Sequence, residues 1–430
     1  MQLTIEKLVY GGDGLARLPA DEHGPGKAVF MPFVLAGEKV DASLLEQKRG
    51  FARGQAQTIL ESSRHRIAPQ CEYFLRCGGC HYQHASYEHQ LEIKADILKE
   101  NLRRIAKLEL QTEVKVHASP PLNYRNRSRL KIRTAPEFAL GYYRFGSHDL
   151  LPVEQCPVSS PLINRAIAAF WEMGHRGGVP EGIREVEFFA DAEDQQLLVE
   201  AYCGHGVSST PLREWAEAGR QLLPEVAGVV VFKEGSSPEA PPKQIALAGA
   251  GEITYQAGAN SYRVSAGSFF QVNRHLVEEL IGVVSQGHSG KTALDLYAGV
   301  GLFSTALSRS FAQVIAVEAS QTAHADLLHN SPSNVKVVRA TTGEFLNSAA
   351  AGMEPDLVVV DPPRSGLGES VVRGLAELGA HHLIFISCDP ATASRDLAGL
   401  IRHGYQIARA HLVDLFPQTY HLESVFGLVR

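Results

Sequence analysis

The chain has 430 residues, of which 44% are hydrophobic and 20% charged, with a formal net charge of −6. That length provides for two or three domains with cores of their own. The acidic balance excludes a generally basic nucleic-acid binder, so any RNA contact must be local. No apolar run reaches membrane-spanning length. The start Met1-Gln2-Leu3-Thr4-Ile5-Glu6-Lys7 lacks the basic-then-apolar order of a signal peptide, so we expect a cytoplasmic protein with no membrane partner. Six cysteines in so long a chain do not make a disulfide scaffold; clustered in the cytosol, they point to metal or catalysis.

Residues 1–62 read as a small β module. Strand-like runs such as Leu3-Thr4-Ile5 and Ala28-Val29-Phe30-Met31 are separated by the turn signals Gly11-Gly12-Asp13-Gly14 and Gly24-Pro25-Gly26. Its segment Lys48-Arg49-Gly50-Phe51-Ala52-Arg53 interleaves basic residues with an aromatic, which suits RNA contact. Next come Cys71, Cys77 and Cys80, the last two flanking Gly78-Gly79, with Cys156 as a distant fourth ligand. Two thiolates two residues apart can chelate one centre, and paired glycines allow the tight turn. Zinc and a [4Fe-4S] cluster both accept four thiolates, and the spacing does not separate them. Cys203 has no such company and reads as structural.

Helical spacing runs from His84 to about Lys107. Beyond it, Arg125, Arg127, Arg129, Lys131 and Arg133 occupy every odd position of one stretch. On a strand these charges share one face, where they repel unless carboxylates face them. A polyanion lying across that face is the expectation.

Residues 180–266 alternate strand and turn signals, with residues 236–242 as a surface loop. From residue 267 strands and helices alternate. Thr292-Ala293-Leu294-Asp295-Leu296-Tyr297 is strand-like and leads into the glycine turn Ala298-Gly299-Val300-Gly301; a second strand then ends in Glu318. Glycines let a backbone approach a nucleotide and the acid can take ribose hydroxyls, which leaves NAD and S-adenosylmethionine both open. Asp361-Pro362-Pro363, a rigid wall after a later strand, turns that choice toward methyl transfer. The apolar run Leu383-Ile384-Phe385-Ile386 then delivers Cys388 to a stop at Pro390, at the strand end where open α/β sheets bind ligands. Alone, Cys388 reads as a small buried hydrophobe.

In combination these motifs resemble one family. The four cysteines, Phe270-Gln271-Val272-Asn273, Asp295-x-Tyr297-Ala298-Gly299-Val300-Gly301, Asp361-Pro362-Pro363-Arg364, Ser387-Cys388-x-Pro390 and His421-x-Glu423 occur in order. Together, over essentially the full chain, they resemble the RNA 5-methyluridine methyltransferases. The resemblance implies an α/β fold in three parts. Residues 1–62 would form a TRAM, OB-like β-barrel that binds RNA. Residues 63–266 would form a β-rich iron–sulfur domain, with residues 85–117 packing on the catalytic domain. Residues 267–430 would form a class I, Rossmann-like methyltransferase domain using S-adenosylmethionine.

The same resemblance makes Cys388 the nucleophile that adds to carbon 6 of uracil, and Glu423 the base that removes the proton from carbon 5. Gln271, Tyr297, Gly299, Glu318, Thr341 and Asp361 would line the cofactor site. Cys71, Cys77, Cys80 and Cys156 would hold a [4Fe-4S] cluster rather than zinc, and Arg125, Arg127, Arg129, Lys131 and Arg133 would bind phosphates. The expected partner is RNA, with 23S ribosomal RNA ahead of transfer RNA modified at uridine 54, and the chain is expected to be a monomer. Three positions depart from the family: Asp389 and Thr341 stand where relatives carry Asn, and Leu302 where they often do. We expect a locally lowered thiol pKa at Cys388, with Asp389 working against it. Two other readings remain, a catalytically decayed RNA-binding protein and an amino-methyltransferase built on Asp361-Pro362-Pro363.

Overall fold

The structure is a computed structural model describing residues 1–20, 26–204, 209–235, 240–348 and 352–430. Part of the turn expected at Gly24-Pro25 and of the loop at 236–239 lies outside the described residues.

The N-terminal module contains β1 (Gln2–Thr4), β2 (Lys7–Leu8), β3 (Asp13–Arg17), β4 (Ala28–Pro32), β5 (Lys39–Gln47) and β6 (Phe51–Glu61), in the order β1-β5-β6-β4-β3-β2. Alternation along these strands buries Val29, Met31, Val40, Ala42 and Ala52 in a core of their own. Leu8 and Leu35 instead join a core dominated by the C-terminal domain, so the module is packed onto its neighbour.

After the cysteine segment, α1 (Tyr87–Asn101) continues into one π-helical turn and leads to β7 (Val114–His117). The central sheet comprises β8 (Arg127–Arg133), β9 (Ala139–Tyr143), β10 (Leu150–Pro152), β11 (Ile183–Ala190), β12 (Leu197–Cys203), β13 (Val226–Lys233) and β14 (Lys243–Gly249). Two helices, α2 (Pro161–His175) and α3 (Ser209–Gly219), pack on it. Cys203 is fully buried in that domain's core, as expected of a structural thiol. The hairpin of β15 (Glu252–Ala257) and β16 (Asn260–Ser265) leads into α4 (Val277–Ser285).

The C-terminal domain alternates β17 (Gly290–Leu296), α5 (Leu302–Leu307), β18 (Phe311–Val317), α6 (Gln321–Asn330), β19 (Val335–Val338), α7 (Thr342–Ser348), β20 (Leu357–Val360), α8 (Gly368–Leu378), β21 (His382–Ser387), α9 (Pro390–Arg402), β22 (Gln406–Val413) and β23 (Glu423–Val429). Its eight-stranded sheet runs β19-β18-β17-β20-β21-β23-β22-β7. The five strands from β19 to β21 are parallel and β23 is antiparallel to both neighbours. Strand β7 adds to the far edge, and Ile93, Leu98 and Leu102 share one core with Val358, Phe385 and Leu397. A fully buried ion pair ties α1 down: Lys94 Nζ lies 2.6 Å from Asp414 and donates to the Phe416 carbonyl at 2.9 Å.

Candidate active site

Central strands buried on both faces need continuous apolar runs, and Leu357-Val358-Val359-Val360 and Leu383-Ile384-Phe385-Ile386 supply them. They are parallel neighbours, so their carboxyl ends bring Asp361 and Cys388 to the same side of the sheet. Pro390 opens α9, where its missing N–H costs nothing. Asp389 caps that helix, accepting from Ala391 N at 3.0 Å and Thr392 N at 2.9 Å. Glu423 does not end a strand, as the other two groups do. It begins β23, whose antiparallel pairing Ser387↔Ser424 sets it across from Cys388.

These groups line a single cavity of about 670 Å³. Its wall includes Cys388, Glu423, Asp361 and Arg364 together with Tyr297, Gly299, Glu318 and Gln271. Gly299 adopts φ +56° and Gly301 φ +95°. At Gly299 a Cβ would meet nothing within 4 Å, so the backbone there faces open space. Glu318 accepts from Gly299 N at 2.9 Å and from Ser320 N at 2.7 Å, which fixes the glycine turn against the end of β18. That open backbone and its carboxylate fit a nucleoside with a ribose diol.

Thr341 is placed differently from its expected role. It is exposed and absent from the cavity wall, because its N–H and hydroxyl both donate to Glu344 and cap α7. Its neighbour Thr342, buried, faces Tyr297 instead.

The electrostatics also depart from expectation. Burial, then Glu423 and Asp361, push the Cys388 thiol up to about 12, with Arg364 the cation working the other way. Asp389 is engaged in capping α9, and Glu423 and Asp361 are the carboxylates that weigh most on the thiol. Burial and Asp361 together hold the Glu423 carboxyl well above the usual range, and burial and Asp295 push Asp361 up to about 7. His421 is driven down to about 3 by burial and nearby cations, so its Nδ1 can accept from Arg364 Nη2 at 3.0 Å.

A second cavity, about 390 Å³, is lined by Cys71, Cys77, Cys80 and Cys156. Burial pushes the Cys77 thiol up to about 11 and Cys80 further, with Cys156 adding to both. Four thiols lining one pocket are a donor set that a thiophilic metal centre would neutralise. Arg125 and His421 line both cavities and form the wall between them.

The basic stretch is not the open phosphate-binding face expected. Arg127 pairs with Glu187 and Glu200, Arg129 with Glu187, and Lys131 with Glu185. The carboxylates come from β11, the neighbour of β8 in the sheet, and from β12, the strand beyond it, so the charges are met within the protein. Arg125 precedes β8 and leaves the series, with isolated bridges to Ser159 and Asn273. Arg133 is exposed at the far end and donates to the Glu137 carbonyl at 3.3 Å.

Sequence reasoning missed the supports of the 267–271 loop, which carries Phe269 and Gln271 on the cavity wall. Glu200 accepts from Gly267 N at 3.1 Å, and Arg127 donates to the Ser268 carbonyl. From the opposite side, buried Asp326 accepts from Ser268 Oγ at 2.8 Å and Ser265 Oγ at 2.7 Å. Isolated acids in a strand and a helix carry no local signal of this.

A parallel sheet with a glycine turn and a strand-end acid defines a class I methyltransferase, here with a thiol and a carboxyl group in the same cavity. The comparisons extend this class to a family. Residues 251–430 match the family described as tRNA (Uracil-5-)-methyltransferase, and residues 1–56 match the TRAM domain. An "Uncharacterized RNA methyltransferase" of Aquifex aeolicus is 35% identical over 434 residues, covering 99% of this chain and 97% of the relative. The "23S rRNA (uracil(1939)-C(5))-methyltransferase RlmD" of Pseudomonas fluorescens is 30% identical, covering 99% of this chain and 90% of the relative. Among solved structures, the Pyrococcus abyssi tRNA (uracil-54, C5)-methyltransferase in complex with S-adenosyl-L-homocysteine is similar in fold. It gives a TM-score of 0.77 at 23% identity, with both chains fully covered. The chain belongs to the RNA uracil-C5 methyltransferase family and is an S-adenosylmethionine-dependent enzyme.

Proposed function

We propose that the protein methylates carbon 5 of a uridine in 23S ribosomal RNA, through a covalent link between Cys388 and the base. The observation that carries this reading is the meeting of Cys388 and Glu423 in one cavity whose wall also includes Gly299 and Glu318. S-adenosylmethionine supplies the electrophilic methyl group. Gln271, Tyr297, Gly299 and Glu318 hold and orient it, with Glu318 on the ribose.

Carbon 5 of uracil is a weak nucleophile, and covalent addition splits one hard step into two easier ones. The Cys388 sulfur gives its proton to solvent, aided by the Arg364 charge, and bonds to carbon 6 while the carbon 5–carbon 6 π pair moves onto the carbon 4 carbonyl as an enolate. Carbon 5 then bonds to the methyl group as the sulfonium's methyl–sulfur bond breaks and S-adenosylhomocysteine leaves. Glu423 takes the proton from carbon 5, and the carbon 6–sulfur bond breaks to restore the ring. A carboxyl held well above its usual range is the stronger base for this proton. The target base must leave its stack to meet Cys388 and Glu423 together.

Cys71, Cys77, Cys80 and Cys156 hold a [4Fe-4S] cluster in this reading, which cross-links the 71–80 segment to residue 156 and takes no part in methyl transfer. The choice of ribosomal over transfer RNA rests on the relatives: those at 29–30% identity and near-complete coverage include two 23S rRNA enzymes, whereas the tRNA enzyme shares 23%.

The test is RNA carrying 5-fluorouridine, in which carbon 5 has no proton to lose. The wild type should stall as a protein–RNA adduct that survives denaturation, and Cys388→Ala should form none. Methyl transfer by Cys388→Ala would favour the amino-methyltransferase reading instead.

A further inference from the structure

Tyr10 lies in the turn between β2 and β3 of the N-terminal module, 378 positions before Cys388, yet its hydroxyl stands 3.4 Å from the Cys388 carbonyl oxygen. Its ring meets Tyr420 edge-on, with centroids 5.4 Å apart at 88°. The close approach depends on Gly11 and Gly12, at φ +106° and +93°; a Cβ on Gly12 would stand 3.1 Å from the His81 side chain. The same hydroxyl faces the Arg364 guanidinium, which also faces the Tyr420 hydroxyl and contacts His421 at 3.0 Å. The side chains that weigh most on Arg364 are Tyr10 and Tyr420. Of the charged groups acting on Cys388, Glu423 and Asp361 oppose a thiolate and Arg364 favours it. Asp389, on the adjoining turn, acts on Tyr10.

A guanidinium on an exposed loop is free to swing into water, where its effect on a thiol fades with distance and screening. Arg364 is itself exposed, but two tyrosines and a neutral imidazole lie against it, and one of the tyrosines comes from another domain. We propose that the N-terminal module completes the catalytic pocket, with Tyr10 as a positioning residue that, with Tyr420 and His421, aims Arg364 at Cys388. This rests on the reading of Cys388 as the nucleophile. It gives the RNA-binding module a direct hold on the reacting thiol, so RNA that shifts the module also shifts the charge beside the sulfur.

The experiment is iodoacetamide alkylation of the full-length protein from neutral to alkaline pH, with the Cys388 peptide quantified by mass spectrometry. Cys203, fully buried, reports unfolding in the same samples. Arg364→Met should slow Cys388 alkylation about tenfold at each pH, the size expected for removing one nearby opposite charge. Tyr10→Phe keeps the ring and removes the hydroxyl that faces Arg364 and donates to the Cys388 carbonyl, and should slow it about threefold. The double variant should be no slower than Arg364→Met alone, because Tyr10 acts through Arg364. A Tyr10→Phe protein alkylated at the wild-type rate, or additive effects in the double variant, would overturn the proposal. Methylation surviving in Cys388→Ala would sink the nucleophile reading, whatever the alkylation rates show.

Discussion

Ser387 and Ser424 are register partners in the antiparallel β21–β23 ladder, and that pairing sets Cys388 across from Glu423. The sulfur arrives at the end of one strand and the carboxyl at the start of the next in the sheet. Two central strands therefore fix the spacing of the two groups, with no reliance on a mobile loop.

One consequence is a pH-dependent thiol. Glu423 holds the Cys388 pKa up only while it is itself ionised, and its own pKa is raised. Glu423→Gln should therefore speed alkylation of Cys388 about fivefold or more above the pH where Glu423 ionises. Below that pH the variant and the wild type should coincide. Iodoacetamide rates across pH check this; a slower thiol in the variant would contradict it.

The paired basic ladder makes a second expectation. Arg129 and Lys131 are already met by Glu187 and Glu185, so Arg129→Gln and Lys131→Gln should leave the salt dependence of RNA binding unchanged. Removing a side chain that does neutralise a phosphate would lower the slope of log K against log salt by about 0.7–0.9. Arg125, which borders the catalytic cavity without a carboxylate partner among the described residues, should behave otherwise. Arg125→Gln should lower both the slope and the affinity.

Much of the catalytic domain was legible because its signals are local. Apolar runs, the glycine turn and the Pro390 stop each mark a strand end, and a strand end is where the chemistry sits. The basic stretch misled for a physical reason. Alternation fixed the face of Arg127, Arg129 and Lys131, but what lies on that face depends on β11 and β12, more than fifty positions on. Thr341 failed in the same way: its side chain is held by a helix cap at Glu344, a competing local bond. The lowered thiol pKa failed because Glu423 and Asp361 reach Cys388 only through the folded sheet. Tyr10 could not have been found from its own segment, whose glycines announce a turn and not a neighbour.

Lys94 and Asp414, both fully buried, join α1 to the catalytic sheet. Lys94→Met leaves Asp414 buried with Tyr87 as its remaining side-chain donor, at 3.0 Å. The expected loss is about 3–5 kcal/mol of unfolding free energy, the usual cost of breaking one side of a buried pair. Denaturant unfolding measures it, and a loss under about 1 kcal/mol would show the pair to be dispensable.

The cysteine cavity separates a cluster from zinc by colour. Anaerobically purified protein should be brown, with iron and sulfide in near-equal amounts, and Cys80→Ser should lose both. A colourless protein with one equivalent of zinc would replace the cluster by a tetrahedral metal site on the same four thiols.

The most direct test of the central claim uses Glu423→Gln with ordinary uridine RNA and S-adenosylmethionine. Without the base, the proton on carbon 5 has nowhere to go and Cys388 cannot leave. The expected product is a denaturation-resistant protein–RNA adduct that already carries the methyl group and is absent in Cys388→Ala/Glu423→Gln. Free 5-methyluridine formed at the wild-type rate by Glu423→Gln, or an adduct that persists without Cys388, would contradict the pairing of these two residues as nucleophile and base.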